Sequence, residues 1–459
     1  MTTDIHHTAE HDSYSAQRYA NTLLHDVGMA ASARCAPIHP AIRAAQCGLN
    51  VLTGRADGPA QLCPAPLAAC ADGVLAALHA ISNSPELITL DGAALLGERA
   101  ASFNYSRAGA ISAGGSCRLL PASDGYLAIN LARDSDWELL SAWLEIDVTR
   151  DWQSLGKALR NITVNAAVTR GRLLGLAVCG MTPTDTQQSW FKRYAVNPTN
   201  PIARAGENKK PLVIDLSSLW AGPLCGNLLQ MLGARVIKIE STERPDGARF
   251  GEKKFFDLLN ANKECVALPL NSAAGREQLQ QLLLQADIVI EASRPRALRQ
   301  MNIIAEQIIA QNPKLTWLSI TGYGREEPED NWIAFGDDAG VAAGLSQLLF
   351  DATGEVMLCG DAIADPLTGM HAAFAAWAGY LHGGGELLSL SLRDVVAYCI
   401  QFGDAMDAQS VRERYRDWEI VLRQSGEKNA APRMRSSITA ASTLGADTQS
   451  ILKEFDIAC

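Results

Sequence analysis

The chain has 459 residues and a mass of 49.2 kDa, which at about 100–200 residues per domain gives two to four domains and a sizeable core. Hydrophobic residues make up 47% and charged residues 20%, with Gly (37) and Pro (19) near average usage, which excludes collagen-like, coiled-coil and wholly disordered chains. With 40 Lys+Arg against 50 Asp+Glu the net charge is −10, the wrong sign for a nucleic-acid or anionic-membrane binder, and no local basic patch reverses it.

Residues 1–36 read as a polar N-terminal tail. MTTDIHHTAEHDSYSAQRYA carries acids and histidines where a secretory signal places a basic region and an apolar run. Export is therefore not expected, and the protein is assigned to the cytoplasm. His6, His7 and His11 belong to this tail rather than to a metal site, and the other histidines are isolated. Eleven cysteines, odd in number and without a CxxC, fit reduced thiols in that compartment. The best candidate for a membrane span, 67–81, is too short and is broken by Asp72, so none is expected.

Residues 37–110 hold an Ala-rich helical stretch, and 111–204 read as a small α+β unit. Within it, SCRLLPASDGYLAINL puts a DG turn between two strands and leads into a helix capped near Asp134–Asp136. The pattern sharpens over 205–400. PLVIDLSSL is a strand, AGPLCGNLLQMLGA a helix and RVIKIE a strand; ECVALPL, DIVIEA, KLTWLSITG and ELLSLSL continue the strands, with helices between them. Helices are expected near 273–285, 303–311, 338–350 and 366–381. Such buried, continuous apolar strands alternating with helices predict a parallel sheet covered on both faces. Residues 401–459 read as a helical return: an amphipathic helix over 410–423, an AAPRMRSS linker and a short helix in TQSILKEF.

An internal echo accompanies this pattern. APLAACADGVLAALHAI and PELITLDGAAL parallel IADPLTGMHAAFAAWAG and GELLSLSLRDVV, with Gly73 opposite Gly369 and Glu86 opposite Glu386.

Several chemistries fail at the motif level. The loop after the first strand, SSLWAGPLCG, is not the GxGxxG that brings a backbone against a pyrophosphate, so NAD and FAD are not expected. There is no GxxxxGK[ST] loop and no GxSxG elbow. Asp365-Pro366 at a helix start reads locally as an N-cap followed by Pro at N1.

From 211 to 399, seven segments occur in an order that resembles the class III (CaiB/BaiF-type) CoA-transferase family, which includes formyl-CoA transferase and carnitine CoA-transferase. They are VIDLSSLWAGP, MLGARVIKIE, LNANKECVALPL, ADIVIEASRPRAL, NPKLTWLSITGYG, ADPLTGMHAAFAAW and GGGELLSLSLRDVV. The C-terminal APRMRSSITAASTLGADTQSILKEF resembles the family's ending. The family's small-domain signature lies early instead, as LPASDGYLAINLARDSDWELL, so the domain order is rearranged or partly duplicated. The resemblance implies an α/β fold with a Rossmann-like parallel sheet and flanking helices plus the smaller α+β domain. It makes 37–110 a degenerate copy of the catalytic-helix region and 205–400 the CoA-binding domain.

The resemblance also implies a reaction, transfer of CoA from an acyl-CoA thioester to a carboxylic acid through an acyl-aspartyl anhydride and an aspartyl-CoA thioester. CoA and acyl-CoA are then substrates, with no permanently bound cofactor. By position the nucleophile falls on Asp365. CoA contacts fall on Ser218, Trp220, Ala221, Ser241, Leu268, Ala292, Ser293, Gln300 and Thr321, and Ser241, Ala292-Ser293 and Arg296 depart from the family's usual residues. Arg294, Arg296 and Arg299 suit CoA phosphates, since guanidinium matches phosphate geometry; a solvated basic loop is the plainer reading. Trp220 either stacks on adenine or fills core. Substrate selection would rest on the small domain and its Gly114-Gly115 loop. A homodimer follows from the family unless the N-terminal copy replaces the second subunit. The alternatives are an α-methylacyl-CoA racemase, disfavoured because from Pro211 onward only His371 and His382 occur, both beyond Asp365; an acyl-CoA lyase; and a non-catalytic pseudoenzyme subunit.

Overall fold

A computed structural model of the chain describes residues 10–185, 189–195, 210–403, 407–437 and 439–458. His6, His7 and the 204/205 boundary lie outside the described residues. Two sheets organise the fold. The smaller holds β1 Cys117–Pro121, β2 Tyr126–Asn130 and β3 Ala177–Gly180, all antiparallel in the order β1-β2-β3. The DG turn closes the first hairpin, with Pro121 opposite Tyr126. Leu127, Ile129 and Val178 bury one face of this sheet beneath Trp143, Leu155 and Leu159.

The larger sheet contains β4 Lys192–Ala195, β5 Leu212–Asp215, β6 Arg235–Ser241, β7 Glu264–Leu268, β8 Ile288–Glu291, β9 Thr316–Thr321 and β10 Glu386–Ser391, in the order β4-β10-β9-β8-β5-β6-β7. β5 to β10 are mutually parallel and largely buried, which is why each reads as a continuous apolar run. The chain starts at β5, moves outward to β7, then crosses back to β8. That reversal opens a crevice at the C-terminal ends of β5 and β8, the place where open α/β sheets take ligands.

The edges of the large sheet are both occupied in ways the sequence conceals. β4 pairs antiparallel with β10, Leu388 opposite Arg193, so residues 192–195 join the large sheet and not the small unit to which 111–204 assigns them. A strand of four residues carries too little periodicity to be recognised. At the other edge the Asp447 carboxylate accepts the Cys265 N–H (2.8 Å) and Thr448 Oγ1 accepts the Ala267 N–H (3.0 Å), covering β7 with the C-terminal return.

The 1–36 tail also needs correction. Ser15–Asp26 is a helix whose Ala16, Tyr19, Ala20, Leu23 and Leu24 are buried, at the i, i+3, i+4 spacing of one helical face. Tyr19 Oη lies 2.7 Å from His371 Nε2, and Trp190 Nε1 donates to Asp26 at 2.9 Å. Small Ala and amphipathic Tyr carry this face, so the segment looks polar when its composition is averaged. The single helix expected near 338–350 is two, Gly336–Ala342 and Leu345–Thr353, separated by Gly344 at φ +106°.

At the centre the helix Ala364–Leu381 is buried on almost every face, and the echoing helix Leu67–Ser82 packs in the same core. Each uses its paired glycine to admit another backbone. A Cβ on Gly369 would stand 2.6 Å from the Ala221 carbonyl oxygen, and one on Gly73 would stand 2.6 Å from that of Ala16. Beyond the helices the echo breaks. PELITLDGAAL forms the one-turn helix Pro85–Ile88 and a 3-10 turn, Ala93–Gly97, where its counterpart forms β10. Asp72 accepts the Ala93 N–H at 2.9 Å and thereby holds that turn against the helix. Among the described residues no helix is long and apolar enough to cross a membrane.

Gly369→Ala should push the Ala364–Leu381 helix away from the backbone at Ala221, lowering stability by about 1–3 kcal/mol. Thermal unfolding checks this, and an unchanged melting temperature would show that the helix pair has slack at this crossing.

Candidate active site

The loop leaving β5 is held from below by a buried ionic network. Lys263 Nζ donates to the Asp215 carboxylate (2.9 Å) and to the Pro223 carbonyl (2.9 Å), while Lys238 Nζ pairs with Asp246 (3.0 Å) and donates to the Ser217 carbonyl (2.7 Å). Charges this deeply buried are tolerable only when paired and hydrogen-bonded. Leu219 in this loop has φ +70°, a left-handed conformation costly to a residue with a Cβ, and its N–H donates to Asp246 at 3.1 Å. The loop ends at the helix Ala221–Met231, whose first N–H, that of Ala221, acts on the Asp365 carboxyl to lower its pKa.

Asp365 sits in the first turn of the Ala364–Leu381 helix, so its carboxylate meets the positive ends of two helices. Gly336 leaves room for it: a Cβ there would collide with Asp365 Oδ2 and with the Ala362 carbonyl. Ala362, three residues earlier, has φ +43°, and its N–H donates to Asp337 Oδ1 at 2.8 Å. Two non-glycine residues in the left-handed region, Leu219 and Ala362, thus flank the same carboxylate. At about 1–3 kcal/mol each, such strain persists only where the surroundings over-determine it.

The charges around Asp365 are unequal. Arg99, from the helix Glu98–Phe103, makes a two-pronged contact with Asp361, Nε to Oδ2 at 2.9 Å and Nη2 to Oδ1 at 2.5 Å. Burial pushes Asp365 up to about 7; Arg99 and the Ala221 N–H pull it back, while Asp337 and Asp361 raise it. Asp337 is pushed up to about 6, by burial first and then by Asp361. Asp338 is raised to about 7 by burial, although it accepts bonds from Asn130 Nδ2 (3.1 Å) and the Phe335 N–H (3.0 Å).

Asp365 opens onto a cleft of about 230 Å³ at the crevice between β5 and β8. Of the residues singled out by sequence, Ser218, Ala221, Ala292, Ser293, Arg294 and Thr321 share its wall with Asp365. Arg294 and Arg296 line an adjoining groove, and the Arg294 guanidinium is shifted down by partial burial and by the nearby charges of Arg296 and Arg133. The others stand off the cleft. Trp220 is 3% exposed, edge-on to Phe255 with centroids 5.3 Å apart and with the Arg99 guanidinium 5.6 Å from its ring, so it fills core. Leu268 is 1% exposed in the core beneath the sheet. Ser241 is tied to Glu243 (2.7 Å), Arg299 pairs with Glu306 (2.9 Å), and Gln300 lies on an exposed helix face.

Sequence reasoning passed over Arg99, Asp337 and Asp361. The signals were slight: an acid one helical turn before Asp365 in CGDAIADP, and two adjacent acids inside the apolar WIAFGDDAGVAAGL.

Comparison with known proteins places this site in context. Residues 211–419 match the family model described as CoA-transferase family III. A formyl-CoA:oxalate CoA-transferase of Escherichia coli O6:H1 is 31% identical over 195 residues, 40% of this chain and 47% of that protein, and that of Shigella boydii serotype 18 matches to the same extent. The chain thus spans about half the length of the curated relatives it matches. Solved structures similar to it include a hypothetical protein (Rv3272) from Mycobacterium tuberculosis, 27% identical over 41% of this chain and 55% of that one with a TM-score of 0.38. A CAIB/BAIF family protein from Brucella suis is 28% identical over 41% and 53%, with a TM-score of 0.37.

A carboxyl with a raised folded-state pKa makes the native state bind more protons than the unfolded chain between about pH 4 and pH 7, so its stabilising contribution is lost as pH rises through that window. Asp365→Asn should therefore melt higher than the parent at pH 8, by an amount on the order of 2 kcal/mol, and the difference should shrink steadily on acidification and vanish only near pH 4. Melting curves that differ equally at both pH values would refute the burial of a charge at this position.

Proposed function

We infer that this chain, which belongs to CoA-transferase family III through residues 211–419, transfers CoA from an acyl-CoA thioester to a carboxylic acid with Asp365 as nucleophile. The observation that carries this reading is the Asp365 carboxyl, half-buried on the wall of a cleft at a sheet crossover, beside a helix-terminal N–H that lowers its pKa. In the first half-reaction an Asp365 oxygen attacks the thioester carbonyl. The C–S bond breaks, CoA leaves as thiolate, and an acyl-aspartyl anhydride forms. The thiolate then attacks the aspartyl carbonyl, releasing the acyl group as its acid and leaving Asp365 as a CoA thioester. A second acid reverses both steps. Splitting the exchange this way replaces one difficult displacement by steps at activated carbonyls, and the Ala221 N–H stands where oxyanions develop on the aspartyl carbon.

In this reading the sheet is Rossmann-like and CoA enters from the mouth of the cleft, where Arg294 and Arg296 meet its phosphates and Ser218, Ala292, Ser293 and Thr321 flank the pantetheine. The N-terminal segment and small α+β unit are the family's remaining parts, fused ahead of the CoA-binding domain, and the working form is a homodimer. Among the described residues no histidine lines the cleft, which favours transfer over the racemase alternative. The acyl donor and acceptor are chosen by groups beyond those that argue for the chemistry.

Incubation of the protein with a panel of acyl-CoA thioesters, followed by hydroxylamine and peptide mass spectrometry, should yield a hydroxamate confined to the Asp365 peptide. Labelling should weaken as pH falls below about 7, because only the ionised carboxyl attacks. No adduct with any thioester, together with no calorimetric CoA binding, would overturn the assignment in favour of the non-catalytic alternative.

A further inference from the structure

Arg99 comes from the N-terminal segment, 262 positions before its partner Asp361. Its guanidinium lies 5.9 Å from the ring centroid of Tyr105 and 5.6 Å from that of Trp220, so aromatic faces fix it laterally while Asp361 fixes its fork. Burial alone would disfavour its charge, but Asp361, with Asp337 and Asp365 beyond it, holds it protonated. One cation therefore serves two buried carboxyls, Asp337 and Asp361, and the half-buried Asp365. From the small unit, Ser112 acts to lower Asp337, and Gly114 lies beside the Arg99 Nη2 and Tyr105.

We propose that Arg99 is a positioning residue whose charge is divided between Asp361 and Asp365, so that the N-terminal segment of this same chain sets whether Asp365 stands ready as an anion. This rests on the reading of Asp365 as nucleophile but is tested separately from it. The fork to Asp361 is a fixed geometric commitment, and Asp365 receives only the remaining field of the guanidinium. Removing the cation and removing its competitor must then act on Asp365 in opposite directions. Independent Coulomb effects of the two charges would give the same two signs, because Asp361 itself raises Asp365; division of the cation adds that removing Asp361 must lower the Asp365 midpoint more when Arg99 is present than in Arg99→Met. The groups that also face Asp365 electrostatically, Asp337 on the helix Gly336–Ala342 and the Ala221 N–H on the neighbouring helix, stay in place in both variants.

The test needs no substrate. The full chain, labelled with aspartate carrying carbon-13 at the side-chain carboxyl, is titrated by NMR from pH 4 to pH 9, with the Asp365 resonance identified by its loss in Asp365→Asn. In Arg99→Met the Asp365 midpoint should rise by at least one pH unit and return part of the way on adding guanidinium chloride at non-denaturing concentration. In Asp361→Asn it should fall, and by more than the same substitution lowers it in the Arg99→Met background, because only in the first case is a cation released to face Asp365. Arg99→Lys should lie between parent and Arg99→Met. An unmoved midpoint in folded Arg99→Met, or shifts of the same sign in both variants, would overturn the proposal while leaving nucleophilic Asp365 intact. If Arg99→Met fails to fold, Arg99→Gln takes its place in the same comparison: a larger Asp361→Asn fall with Arg99 present supports the proposal, and falls of equal size with and without the cation overturn it. Conversely, normal shifts in a protein that no thioester labels would remove the transferase reading and leave the charge division standing.

Discussion

One guanidinium facing two buried carboxyls and a third, half-buried one at the cleft wall is the arrangement on which the rest of this structure depends. Burying a carboxylate in a medium far less polar than water costs several kcal/mol unless it is paired or hydrogen-bonded, and Arg99 can fully satisfy only one of Asp337, Asp361 and Asp365. The fork goes to Asp361. Asp337 takes a backbone N–H instead, that of Ala362, and Asp365 has only the pull of the nearby Ala221 N–H and what remains of the guanidinium's field. The residual imbalance is left on Asp365, the carboxyl that lines the cleft, where a poorly stabilised anion is a better nucleophile than a solvated one.

Close backbone approach makes this arrangement possible. Gly336 and Gly369 bring three helices to within van der Waals reach of one carboxylate, and their neighbours are largely alanine for the same reason. The strained turns at Leu219 and Ala362 aim the Ala221 N–H and the first turn of the Ala364–Leu381 helix at each other. Both strained N–H groups are held by buried carboxylates, Asp246 and Asp337. The network of Lys238, Lys263, Asp215 and Asp246 beneath the loop is thus part of the same device: it holds the backbone that presents the hydrogen bond.

Much of this was legible in the sequence, and the physical basis of the legibility is uneven. β5 to β10 stand out because a strand buried on both faces must be apolar throughout, so each is a run that composition alone reveals. Asp365 and its cleft companions Ser218, Ala221, Ala292, Ser293, Arg294 and Thr321 could be named because ordered motifs fix them at strand ends, in the loops that follow and at helix starts. Trp220 and Leu268 sit in the same segments but point into the core, and a linear motif does not record which way a side chain turns. β3 and β4 are too short for periodicity to register, and Ser15–Asp26 hides its apolar face in Ala and Tyr. Arg99 was out of reach for another reason: its role exists only through folding, when a helix from the first quarter of the chain meets an acid 262 residues away.

The most direct test of Asp365 as a covalent nucleophile follows an oxygen atom. The protein is turned over with a thioester that labels it and with the oxygen-18-labelled form of that thioester's own acid, and the Asp365 peptide is then weighed. Attack by the labelled acid on aspartyl-CoA makes its oxygen the bridge of the anhydride, and return of the thiolate to the acyl carbonyl leaves that oxygen on aspartate. Incorporation of one heavy oxygen into Asp365 and into no other carboxyl is the result this account requires. Exchange of CoA with no heavy oxygen in Asp365 would show that the acid attacks the thioester directly, and that the buried carboxyl serves the fold alone.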